Sequence, residues 1–150
     1  MDRTLRSKGG FTLLELVIVV CIIGLILSIA TANFRRVTRV SSINHDLNFI
    51  AAFMQQKRLE AFSQKNPITI TVGATQITTA PFFGTVTLEN QFIPSAATFT
   101  VNNRGLFSPT TGSIRLADMS DGSPNNCIVI DLTRVRMGRW NGAGANCVAD

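Results

Sequence analysis

Residues 11–34, FTLLELVIVVCIIGLILSIATANF, form a nearly unbroken apolar run that carries one carboxylate, Glu15, close to its start. A helix of about 24 residues rising about 1.5 Å per residue spans roughly 36 Å, enough to cross a bilayer. A carboxylate at such a depth costs on the order of 2.5 to 3.5 kcal/mol unless it is protonated, solvated or paired. Glu15 therefore needs a partner or another reason to be there. Ahead of the run lies a short leader, MDRTLRSKGG, which ends in Gly9 and Gly10 immediately before Phe11.

Beyond the apolar run the pattern changes twice. Over residues 35–66 the spacing predicts a continuation of the same helix, now amphipathic. Val37, Val40, Ile43, Leu47, Ile50, Met54 and Ala61 recur at steps of three, four or seven, with Phe53 and Phe62 beside them, while Arg39, Asp46, Gln55, Lys57 and Glu60 fall on other faces. Asn66-Pro67 should end it, because the residue before a proline is pushed out of the α region. After Pro67 the period becomes two. Strands are expected at 68–72, 76–79, 85–88, 98–101, 113–117 and, as one long strand, 127–136, with Pro81–Gly84 as a turn or loop. The fold class that follows is α+β, a long N-terminal helix whose second half packs against an antiparallel sheet domain over residues 67–150.

The junction at Gly10 and Phe11 carries a resemblance. Gly9-Gly10 followed by Phe11, Thr12, Leu13, Leu14 and Glu15, then an unbroken apolar run, resembles the processing site and N-terminal helix of the type IV pilin and pseudopilin family. A plain signal peptide or single-span anchor would leave the Gly-Phe-x-x-x-Glu spacing as coincidence. The resemblance implies that residues 1–10 are a prepilin leader, cut off after Gly10 by a prepilin peptidase, and that the new amine on Phe11 is methylated. It implies that Glu15 associates with that amine, in its own subunit or a neighbour, as subunits stack into a filament. The electrostatics agree: an amine and a carboxylate in apolar surroundings each lower the cost of the other. Many members of the family have proline at the position that is here Ala32, so this helix need not break there.

Charge alone does not fix orientation, since the leader and Arg35, Arg36 and Arg39 flank the run on both sides. The resemblance implies a leader in the cytoplasm, residues 11–34 as a single pass through the bacterial inner membrane, and the remainder in the periplasm until it enters a filament. Its implied partners are the prepilin peptidase, other pilin or pseudopilin subunits and the inner membrane. Arg3, Arg6 and Lys8 against Asp2 give the leader a net +2, leaving +3 of the formal +5 on the rest, which is only mildly basic. Cys21 lies in the apolar run, whereas Cys127 and Cys147, an even pair in an exported domain, read as a disulfide, with two reduced cysteines as the alternative.

Residues 102–109 and 127–136 are also similar to the C-terminal region of the minor pilins and pseudopilins called FimT and GspH. Some members of the FimT branch bind DNA through a C-terminal Gly-Arg-x-Arg motif. Here the matching place reads Thr133-Arg134-Val135-Arg136, so the arginines match and the glycine does not. In an extended strand Arg134 and Arg136 share a face, Arg139 could join them if Gly138 bends the chain, and Trp140 could stack on a base. So small a patch implies weak, salt-sensitive, sequence-indifferent binding, and the commoner use of such residues is to protect a solvated edge strand.

An enzyme is not suggested. The chain has one histidine, His45, expected on the helix surface, and no Gly-x-Ser-x-Gly elbow, phosphate loop or recognisable carboxylate pair. No cofactor is expected. Two cysteines without a nearby histidine are not a zinc site, and residues 118–123 lack the alternating ligands and closing glutamate of a calcium loop, so no metal is expected either.

Overall fold

The computed structural model describes residues 12–81, 84–120, 122–142 and 147–149, with side chains for all of these but 29–33. The expected leader, the cleavage junction Gly10–Phe11, and Phe82, Phe83 and Asp121 lie outside the described residues. The chain divides into two compact units, Met1–Val37 and Thr38–Asp150.

Helix α1 (Leu13–Gln64) is a single 52-residue element that passes position 32 without interruption. Thr12 caps its start. The backbone N–H of Glu15 donates to Thr12 Oγ1 at 3.2 Å, which is one half of a capping box, and the Leu16 N–H donates to the Thr12 carbonyl at 3.3 Å. At the other end Lys65 takes a left-handed φ of 56°, which turns the chain out of the helix just ahead of Pro67.

The strands are, in chain order, β1 (Ile68–Val72), β2 (Gln76–Ala80), β3 (Gly84–Thr87), β4 (Phe92–Pro94), β5 (Thr98–Val101), β6 (Phe107–Ser108), β7 (Thr111–Leu116), β8 (Cys127–Asp131), β9 (Val135–Trp140) and β10 (Cys147–Ala149). Pairing is antiparallel throughout, but the strands form two sheets, β3-β2-β1-β5-β6 and β10-β9-β8-β7-β4. From α1, Ile43, Leu47, Ile50, Met54 and Ala61 are buried in one cluster with Ile68, Ile70, Phe99 and Val101 of the first sheet and Phe92, Ile114, Leu116, Ile128 and Ile130 of the second. Burying each such side chain contributes about 1.5 to 3 kcal/mol, so this shared cluster fixes both sheets on one helix face. Val37, expected on the same stripe, is exposed.

The long strand expected over 127–136 is instead two strands with a turn at Leu132, Thr133 and Arg134, closed by the Asp131 N–H donating to the Arg134 carbonyl at 2.8 Å. The cause is a change of phase. Ile128 and Ile130 are buried, and the next apolar side chains packed on the core are Val135 and Met137. A continuous strand cannot move its inward side chains from even to odd positions.

Candidate functional site

Glu15 stands in the first turn of α1, where exposed backbone N–H groups favour a negative charge. Around it the helix is apolar on every side: the large aliphatic residues from Leu13 to Leu27 are between 46% and 81% exposed. A helix that is hydrophobic all round needs lipid or other helices to cover it. Among the described residues no helix is long and apolar enough to cross a membrane. The expected span 11–34 includes Phe11 and residues 29–33, whose side chains are not among those described.

In the second unit Cys127 and Cys147 form a disulfide, with a Cα–Cα distance of 6.1 Å. It links β8 to β10 across β9. On β9, Gly138 lies opposite Cys127 on one side and Ala149 on the other, and a Cβ there would collide with the backbone of Val148.

The expected basic face is rearranged by this pairing. Arg134 belongs to the turn before β9, exposed, and its guanidinium meets no carboxylate among the described residues. Arg136 is on the outer face of β9 and is paired with Asp131 at 3.0 Å. Gly138 keeps the regular register and does not bend the strand, so Arg139 alternates onto the opposite face from Arg136. Trp140 is on the Arg136 side, but its ring carries the guanidinium of Arg115, 5.1 Å from the ring centroid. The two arginines of Thr133-Arg134-Val135-Arg136 thus differ in setting: among the described residues Arg134 meets no carboxylate at its turn, while Arg136 pairs with Asp131 on the strand.

A polar cluster that the sequence pattern assigns to the solvent side of α1 is built into the domain. Asp46 is buried, and its Oδ2 accepts the backbone N–H of Asn90 at 2.8 Å and the Asn90 side-chain amide at 2.9 Å. That amide also donates to Ser42 Oγ at 2.9 Å, and Ser42 in turn donates to Glu89 at 2.7 Å. Arg39 pairs with Asp118 at 2.6 Å. The Ser120 hydroxyl and backbone N–H, with Arg39 beside them, hold the Asp118 carboxyl below its ordinary value. Arg39, Glu89, Asn90, Leu116 and Asp118 line an open cleft of about 470 Å³. Its polar walls satisfy one another, and among the described residues no cluster of histidine, cysteine and carboxylate groups suits a metal ion. His45 is exposed on α1, as expected.

Comparison with known proteins bears on the N-terminal segment. Residues 5–31 match the family described as the prokaryotic N-terminal methylation motif. No curated protein and no solved structure matches the chain. The motif implies anchoring in the inner membrane, processing by prepilin peptidase and assembly with pilins. Over residues 5–31 the chain carries the N-terminal methylation motif of type IV prepilins and pseudopilins, the segment at which prepilin peptidase acts in that family.

Proposed function

We propose that the protein is a minor pilin or pseudopilin of the FimT and GspH type, cut between Gly10 and Phe11, N-methylated on Phe11, held in the inner membrane by residues 11–34, and built into a type IV pilus or type II secretion pseudopilus. The observation that carries this reading is the exposed apolar start of α1, which lies within the methylation motif and has Glu15 in its first turn. Such a surface suits two environments in succession, lipid before assembly and neighbouring helices after it. Within the filament the Phe11 amine is the natural partner for Glu15. Two opposite charges in apolar surroundings make axial register a condition of stability, since a slipped subunit leaves both unpaired.

Glu15→Ala is expected to leave export and processing intact while the protein fails to enter sheared filaments. The measurement is the mass of the mature N-terminus together with the amount of subunit in the filament fraction. Wild-type incorporation of the variant would remove the role assigned to Glu15.

A second reading, a DNA-binding minor pilin of a DNA-uptake machinery, draws support from Arg134, a cation exposed at a turn with no carboxylate partner among the described residues. Arg139 stays outside it, because it faces away from Arg136.

A further inference from the structure

Four hydrogen bonds bring segments that carry cations, and that are distant in sequence, to one side of the domain. Arg104 sits on the β5–β6 turn, which Asn102 builds. The Asn102 Oδ1 accepts the N–H groups of Arg104 and Leu106 at 2.9 and 3.0 Å, and Gly105 supplies a φ of 74° that other residues rarely adopt. From α1, Arg58 Nε donates to the Gly105 carbonyl at 2.8 Å. From β6, the Phe107 N–H donates to the Leu132 carbonyl at 2.9 Å, which sets the β8–β9 turn, on which Arg134 stands, beside β6.

A hollow of about 240 Å³ opens there, lined by Arg58, Leu59, Phe62, Arg104 and Gly105. Its floor is apolar and open to solvent, with Leu59 67% and Phe62 52% exposed, and Lys65 Nζ lies 3.8 Å from the Phe62 ring centroid. Among the described residues no carboxylate lines it. Glu60, the nearest in sequence, is engaged by Lys57 at 2.8 Å.

We propose that this corner, and not the outer face of β9, is where DNA docks, with Arg58, Arg104 and Arg134 on backbone phosphates and the Leu59–Phe62 floor against a sugar or base. The proposal rests on the DNA-binding reading above and relocates its centre. Cations spaced along a groove beside an apolar or aromatic floor are the pattern that takes a nucleic-acid strand. Arg136 is already paired with Asp131 on the outer face of β9.

The test is binding of the full chain, in detergent micelles, to a labelled oligonucleotide, single-stranded and duplex, across a salt series. Arg104→Ala removes no bond that builds the turn, because Arg104 contributes only its backbone there. The expected result is several-fold weaker binding for Arg104→Ala and for Arg134→Ala, with the slope of log affinity against log salt reduced by about 0.7 to 0.9 for each phosphate left without its cation. Arg104→Glu should weaken binding further, and Arg139→Ala should leave it unchanged. An unaltered unfolding midpoint in each variant confirms that the fold is intact. If the parent binds and Arg104→Ala keeps its affinity and slope, this placement is wrong while the DNA-binding reading stands. If the parent does not bind at low salt, the DNA-binding reading fails and the placement with it. Competition by polyglutamate equal to that by DNA of the same charge would assign the corner to an acidic protein partner instead.

Discussion

Asp46 lies beside the core stripe of α1 with its side chain only 4% exposed, and both of its bonds to Asn90 cross from the helix to the loop between β3 and β4. Position on the helix alone makes it a solvent-facing acid. What buries it is a residue 44 positions away that supplies two donors to the same oxygen. Asp46→Ala would leave the Asn90 backbone N–H without its acceptor and the Asn90 amide with Ser42 alone, a loss of about 1 to 3 kcal/mol for a buried unsatisfied group. Denaturant unfolding checks this: a clear fall in midpoint is expected, and an unchanged midpoint would mean that water replaces the carboxylate at no cost. Thr12 is a second residue whose part appears only with the fold. Its hydroxyl takes the Glu15 N–H, so Glu15 serves the helix start as well as any pairing with an amine.

Among the elements, the β8–β9–β10 end depends on two features that reinforce each other. The disulfide closes a sequence separation of 20, and Gly138 leaves room for β10 to lie against β9. Cys127→Ser with Cys147→Ser is expected to cost about 3 kcal/mol in the chain-entropy account of a loop this size. Gly138→Ala should destabilise even with the disulfide intact, because the added methyl meets backbone and not a movable side chain. Unfolding with and without reductant separates the two; a Gly138→Ala protein as stable as the parent would show that β10 can shift without penalty. These strands also mark how far the sequence could be read. The α1 stripe and β1, β2, β5, β7 and β8 were legible because burial imprints a period of 3.6 or 2 on enough residues to register. Strands β4, β6 and β10 are too short for a period to appear. The turn at Leu132–Arg134 has no glycine, proline or asparagine to announce it, and only the shift from Ile130 to Val135 betrays it. The division into two sheets depends on register between distant strands, which no local pattern carries. The methylation motif, by contrast, was legible because it is a contiguous run of residues, whereas the Asp46–Asn90 cluster and the Arg58–Arg104 hollow are assembled by the fold.

For the whole molecule, the buried core among the described residues falls within Thr38–Asp150, since its fully buried side chains run from Ile43 to Ile130. A fragment beginning at Thr38 is expected to stay soluble without detergent and to unfold in one cooperative transition, while the longer chain needs detergent to cover Leu13–Leu27. A fragment that shows no cooperative transition would mean that the residues before Thr38 are required for folding. The helix contributes to this core lengthwise, through Ile43, Leu47, Ile50, Met54 and Ala61 along one side of a continuous α1. Tension applied along the helix axis therefore reaches the domain as shear across all five side chains together, not as a peeling force that meets them in turn. Two sheets grip the same rod, and the load is shared between them.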